Sequence, residues 1–308
     1  MRVRLLVNPV ASSMTDRRQQ RVADRLGTGH DVDVVRTTGR GDARELAARA
    51  VADGVDVVVV AAGDGTLNEA SDSLVGTATA VAAIPGGSTN VFARAVGYSN
   101  HLGHATEQLV AALDRDAVRR IGVGSANGRH FLFHLGTGFD AAVVARMERL
   151  TPKVKRFAAH PTFAVQTVRT VVRGFDRRIP ALRVETLDGL HHDSFFTVVS
   201  NLSPYTFVGP RRMLLSHDAG LDRALAVTSL SRFTVGDVIA AFGSSVGRAE
   251  HLRRGRQVVQ LRDLDHVRLT ATRPGTPFPW QVDGDYLGTT DRLDVSYVPD
   301  ALLVVLPV

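Results

Sequence analysis

Val57-Val58-Val59-Val60-Ala61-Ala62-Gly63-Asp64-Gly65-Thr66-Leu67-Asn68-Glu69 reads as a buried strand, a glycine turn and the first turns of a helix. An unbroken β-branched run is the pattern of a strand covered on both faces. The glycines let the backbone approach an anion closely. The helix that follows offers unpaired N–H groups and a positive dipole end. Thr66 adds a hydroxyl. Asp64 can sit beside a phosphate only if something neutralises it, and a divalent cation carried by the phosphates would do so. The same spacing also suits an ordinary strand-to-helix turn. It is not a Walker A loop, because no Gly-Lys-Ser/Thr follows.

The surroundings repeat this grammar. Val3–Val7, Asp31–Arg36 and Val81–Ile84 read as strands, and 15–26, 42–53 and 90–96 as helices, with Asp42 placed to cap the second. Alternating strands and helices predict a parallel sheet covered by helices. Ile84-Pro85-Gly86-Gly87-Ser88-Thr89-Asn90 ends one strand and precedes Val91-Phe92-Ala93-Arg94; Asn90 suits an anion cradle or a helix cap equally. Asn8-Pro9-Val10-Ala11-Ser12-Ser13 ends the first strand. Three polar loops then fall at the carboxyl edge of one sheet, where open α/β folds bind ligands.

Beyond about residue 122 the pattern changes. Short runs at 121–124, 129–135, 182–186, 195–200, 224–229, 257–262, 266–272, 293–298 and 302–306 read as strands separated by Gly, Pro, Asn and Asp. They predict a β-rich, sandwich-like second domain, interrupted by helical insertions near 141–175 and 234–250. The expected domains are 1–122 and 123–308. The 308 residues, 44% hydrophobic, suffice for two cores. With no cysteine there is no disulfide or thiolate metal site. No apolar stretch nears the roughly 20 residues of a membrane span, and the first strand is too short for a signal peptide. A cytoplasmic protein is expected.

The net charge of +6 points to an anionic partner. It is concentrated between Arg146 and Arg178, where nine basic residues face only Glu148 and Asp176, for a local charge of +7. This stretch reads either as a solvated helix face or as a surface for anionic lipid, with Phe157, Phe163, Val165 and Val168 as shallow anchors. Each basic residue near such a membrane is worth roughly 1 kcal/mol. Nucleic acid is not the expected partner, since 6% aromatic residues offer no stacking platform.

Gly63-Asp64-Gly65-Thr66-Leu67-Asn68-Glu69, the 85–94 loop and Asp283-Gly284-Asp285 together resemble the diacylglycerol kinase catalytic-domain family, which includes bacterial soluble diacylglycerol kinases, YegS-like lipid kinases and sphingosine kinases. The order of these motifs covers nearly the whole chain. Gly-Asp-Gly-Thr alone is shared with NAD kinases and phosphofructokinases. The resemblance implies a nucleotide-binding α/β domain of that type, a β-rich catalytic domain, and a cleft between them for ATP, Mg2+ and a lipid alcohol, diacylglycerol first. It implies a nucleotide site at Asn8, Pro9, Val10, Ala11 and Ser12, at Thr37, from Ala62 through Gly63, Asp64, Gly65, Thr66 and Leu67 to Asn68, and at Gly87, Ser88 and Asn90. Asp140, in Gly136-Thr137-Gly138-Phe139-Asp140, resembles a lipid-head contact; it equally suits a helix cap.

Phosphoryl transfer needs neutralised phosphates, a positioned hydroxyl and often a carboxylate to take its proton. Asp283 and Asp285 stand either on one face of a strand or in a β-turn. The resemblance makes Asp285 the general base, in place of the family glutamate, with Asp283 and Asp64 beside the chemistry. It also implies a structural magnesium at Ala219, Asp222 and Ala224, although Arg223 replaces a glycine there. Ala62 replaces the first glycine of the main loop. Two other readings stay open: an NAD kinase-like phosphotransferase, and a non-catalytic nucleotide- or lipid-binding relative. A peripheral place on the inner membrane face and a homodimer are compatible with the sequence.

Overall fold

The computed structural model describes residues 1–11, 13–148, 179–216, 218–232 and 257–308. The chain divides into two compact units, Met1–Val123 with Pro299–Val308, and Gly124–Val298. The sequence expectation is a single division, between 122 and 123. The last ten residues, however, return to the first unit.

The first unit runs β1 (Arg2–Val7), α1 (Asp16–Leu26), β2 (Asp31–Arg36), α2 (Asp42–Ala52), β3 (Val57–Ala62), α3 (Asp64–Leu74), β4 (Ala80–Pro85), α4 (Val91–Ala95), α5 (Leu102–Asp114) and β5 (Val118–Ala126, whose last residues enter the second unit). Strands β2-β1-β3-β4 lie in that order and are parallel. Every residue of β3 and β4 is buried, as the β-branched and alanine runs predict. The order reverses between β1 and β3, so the loops that leave these two strands flank the sheet's switch point. Sequence reading passed over α5, although Leu102, Ala105, Leu109 and Leu113 have helical spacing and the last three are buried. Gly41, at positive φ, takes the cap position of α2; Asp42 is its first residue and accepts bonds from the Thr38 N–H and hydroxyl.

The second unit runs β6 (Arg129–Phe131), β7 (His134–Gly138), α6 (Phe139–Glu148), β8 (Leu182–Thr186), β9 (His191–Ser194), β10 (Phe196–Ser200), β11 (Thr206–Val208) and β12 (Arg211–Met213). It continues with β13 (Leu225–Leu230), β14 (Val258–Leu264), β15 (His266–Ala271), β16 (Phe278–Val282), β17 (Asp285–Thr290) and β18 (Arg292–Val305). One antiparallel sheet has the order β14-β13-β10-β7-β16-β17. Against it lie β18, β15, β8 and β9, also antiparallel. Leu135, Val199, Val227 and Val282 from the first sheet meet Val184, Leu269, Leu293 and Val295 from the second in one core. This is the expected sandwich. The two runs read at 293–298 and 302–306 are one strand: β18 pairs with β15 near its start and, at Val304, beside Val81 of β4. The insertion near 234–250, most of that near 141–175, and Phe157, Phe163, Val165 and Val168 of the basic stretch lie outside the described residues.

Candidate functional site

In the first unit the three polar loops meet around one cavity of about 280 Å3, lined by Asn8, Val10 and Ala11, by Gly63 to Thr66, and by Gly87, Ser88 and Thr89. Backbone packing brings the second and third groups together. A methyl on Gly86 would lie 2.8 Å from Ala62 Cα, and one on Gly87 2.7 Å from Gly63 Cα. Only glycines let the two loops approach this closely. Ala62 is the last residue of β3 and needs no positive φ, so its methyl is accommodated. Asn8 Nδ2 donates to Thr66 Oγ1 at 3.0 Å, and Asn8 Oδ1 accepts the Val10 N–H at 3.0 Å, which ties the first loop to the helix start.

Asp64 opens α3 but points its carboxylate at the next helix. Its oxygens accept the Val91 N–H at 2.9 Å and the Phe92 N–H at 3.1 Å. Burial pushes this carboxyl above the usual range, against the pull of those N–H groups and of Arg94. Asp64 therefore fastens α4 to the main loop. Asn90, in the left-handed region at φ 51°, closes its own loop instead: Oδ1 accepts the Gly87 N–H at 2.8 Å, and Nδ2 donates to Gly87 O and Asn100 Oδ1. Thr37, Ala62, Leu67 and Asn68 are buried outside the cavity lining. Glu69 accepts the Gly41 N–H and so holds α3 to the loop before α2. Pro9 is exposed, and Ser12 lies outside the described residues.

In the second unit Asp283 and Gly284 are the two central residues of the β16–β17 hairpin, at φ 49° and 82°. Positive φ at both positions marks a type I′ turn, for which Asp-Gly suits well. Asp283 and Asp285 thus do not share a strand face. Asp283 is buried, and its carboxylate accepts the N–H groups of Leu132, Phe133 and His134 at 2.7–3.0 Å. Asp285 begins β17 and is half-buried.

Asp140 is also buried, in the first turn of α6. It accepts a short bond from the Tyr205 hydroxyl and one from Gln281 Nε2 at 2.8 Å. Burial raises this carboxyl, which the two bonds only partly offset. Tyr205 stacks on His134, whose ring burial holds neutral, with a pKa pushed down to about 3.

At the implied structural magnesium site, Arg223 stands between Asp222 and Ala224 in the chain. Arg223 turns toward the neighbouring acids: it pairs with Asp263 at 2.9 and 2.5 Å and reaches Asp218 at 3.4 Å. The guanidinium thus compensates Asp263 and Asp218. Among the described residues no group of three His, Asp or Glu is arranged to hold a metal ion. Asp222 is exposed, while Ala219 is buried.

Sequence reading missed Thr89 as a lining residue, although it stands in the quoted loop. Gln281 and Tyr205 gave less signal, since Tyr205 lies 65 residues from the carboxylate it contacts.

Residues 2–126 match the model of the diacylglycerol kinase catalytic domain. A protein of Pseudomonas savastanoi pv. phaseolicola named "Probable lipid kinase YegS-like" is 33% identical over 141 residues, 45% of each chain. The Bacillus subtilis protein named diacylglycerol kinase is 33% identical over 115 residues, 36% of each. The chain spans about half the length of the curated relatives it matches, or less. Among solved structures, a diacylglycerol kinase from Bacillus anthracis str. Sterne superposes with a TM-score of 0.72 at 17% identity, covering 99% of this chain and 96% of that one. Yeast NADH kinase complexed with NADH has a TM-score of 0.56 at 11% identity, over 100% and 84%. At such identities these two show the fold alone: a parallel α/β domain followed by a β-rich one. The part of the chain that carries Gly63-Asp64-Gly65-Thr66 and the 85–94 loop, residues 2–126, is thus similar to the diacylglycerol kinase catalytic domain.

Proposed function

We propose that this chain is an ATP-dependent lipid kinase that phosphorylates a hydroxyl of a membrane lipid, diacylglycerol first. The observation that carries the reading is the convergence of three strand-end loops on one cavity at the switch point of a parallel sheet. The open N–H groups at the start of α3 and the Thr66, Ser88 and Thr89 hydroxyls suit the oxygens of a polyphosphate. Magnesium would come with the nucleotide and neutralise its phosphates, because the Asp64 carboxylate is engaged by α4. Asp285 takes the acceptor's proton. It is the half-buried carboxylate of the 283–285 turn, whereas Asp283 is enclosed by backbone donors and serves to orient the turn.

Contact with an anionic leaflet would bring the lipid within reach. No helix among the described residues is long and apolar enough to cross a membrane. The NAD kinase-like reading stays as the alternative, since Gly63-Asp64-Gly65-Thr66 alone suits both, and the same assay tests it.

The protein is incubated with labelled ATP, magnesium and either a total lipid extract or NAD. A labelled lipid is expected, and Asp285→Asn should lower the rate about 100-fold or more, the usual scale of a lost general base. Label in NAD alone would establish the alternative. Label in neither acceptor would defeat the kinase reading.

A further inference from the structure

The buried polar residues behind the 283–285 turn form one continuous chain of hydrogen bonds. The Tyr205 hydroxyl donates to Asp140 Oδ1, and Gln281 Nε2 donates to Asp140 Oδ2 at 2.8 Å. At its other end, Gln281 Oε1 accepts the Gly284 N–H at 2.8 Å. Gly284 is the exposed centre of the turn and the residue before Asp285. From this geometry we infer that Tyr205, Asp140 and Gln281 are positioning residues that fix the turn carrying Asp285, with Gln281 as the link between the buried carboxylate and the turn.

Three observations support it. Gln281 is fully buried, and both ends of its amide are used, so it has one orientation and cannot rotate freely. Gly136 on the adjacent strand leaves the room the network needs: a methyl there would lie 1.7 Å from Asp140 Oδ2 and 2.4 Å from Gln281 Nε2. The turn has a second, separate fastening through Asp283 to the N–H groups of 132–134. One fastening holds the entry to the turn, and the other holds its middle. A carboxylate that must meet a hydroxyl in one geometry gains from both. Asp140 is then a support rather than the lipid-head contact the resemblance implies, since both its oxygens face protein donors.

This inference rests on Asp285 as the proton acceptor, and its test separates the two. Gln281→Met keeps the side chain's length and removes both bonds; Tyr205→Phe removes only the first bond. Amide exchange at Gly284 should speed up about tenfold in Gln281→Met, with residues 1–123 unchanged. The kcat for lipid phosphorylation should fall about tenfold, with the KM for ATP within about twofold of wild type. Tyr205→Phe should show smaller changes of the same kind, and the double variant should lose no more than Gln281→Met alone, because the two sites act in series.

Unchanged exchange at Gly284 in Gln281→Met overturns the inference whatever the activity. Faster exchange with unchanged kcat overturns the positioning role. A wild-type protein without kinase activity defeats the proposed function, while the exchange result still decides whether the hydrogen-bond chain holds the turn. If Gln281→Met does not fold, Tyr205→Phe decides alone: normal exchange and normal kcat would refute it.

Discussion

The loop at 63–66 and the turn at 283–285 are both short, glycine-containing and acidic, yet they are held by opposite means. The first is shaped by backbone against backbone: Gly86 and Gly87 lie against Ala62 and Gly63 at distances no side chain would permit. Side chains add little beyond the Asn8–Thr66 bond and the Asp64 contacts to α4. The second is shaped by polar side chains, with Asp283 on three N–H groups and Gln281 on a fourth. The difference follows from what each would do. A loop that receives an anion must leave its N–H groups open, so packing has to set its form. A turn that presents a carboxylate has no such constraint and can be tied down by hydrogen bonds.

The sharpest way to break this comparison is to remove the ties of the turn. Asp283→Asn replaces one acceptor oxygen by an NH2 group that faces backbone donors. An unpaired buried polar group costs about 1–3 kcal/mol, and at least one of the three N–H groups loses its partner while the others lose the charge. A loss of about 3 kcal/mol or more is expected in urea unfolding, with kinase activity falling in parallel. A loss under about 1 kcal/mol would mean that the turn is set by its Asp-Gly backbone preference alone.

The corresponding change in the first unit is Gly86→Ala. Its methyl would stand 2.8 Å from Ala62 Cα and N and from Met14 Cγ. Met14 can move, but the β3 backbone cannot. The expected cost is about 1–3 kcal/mol, the range for overpacking a filled interior. Nucleotide affinity should fall more steeply than stability, because the displaced loop lines the cavity. Equilibrium titration with ATP beside a urea melt checks both. Normal affinity in a folded variant would show that the glycine contact does not shape the site.

The same contrast explains what could be read from sequence. Glycine motifs act locally, so Gly63-Asp64-Gly65-Thr66 and Gly86-Gly87 announced their loops, and the β-branched run at 57–60 announced the strand beneath. Polar support acts at long range. Nothing near Asp140 indicates Tyr205 or Gln281, and nothing near Asp283 indicates that the backbone of 132–134 will surround it. Asp283-Gly284-Asp285 suits a strand face or a β-turn, and positive φ at Asp283 and Gly284 selects the turn. Asp64 lines the cavity, as its place in the loop suggests, but the capping of the five-residue α4 by its carboxylate leaves no local signal. The course of β18 was hidden for a simpler reason. Pro299 and Asp300 look like a break, yet they sit within one strand that serves both units.

A smaller effect tests whether charge or enclosure makes Asp283 matter. Asp294 in the same unit is also well bonded, to Arg292 and Arg268 at 2.7 and 2.8 Å, but its side chain remains 36% exposed. The two guanidinium groups hold its pKa down to about 2. A carboxyl lowered on folding stabilises above its unfolded pKa, and that stability is lost as pH falls through the folded value. Asp294→Asn should therefore cost only a few tenths to about 1 kcal/mol at pH 7, the scale of exposed ion pairs. The gap between wild type and variant should close as pH drops from about 4 to about 2, and shrink in high salt at neutral pH. Urea melts across that range check it. If Asp294→Asn matched Asp283→Asn in cost, ionic contact itself would be the stabilising element. If it stays small, the weight of Asp283 comes from burial and from backbone donors that have no other partner.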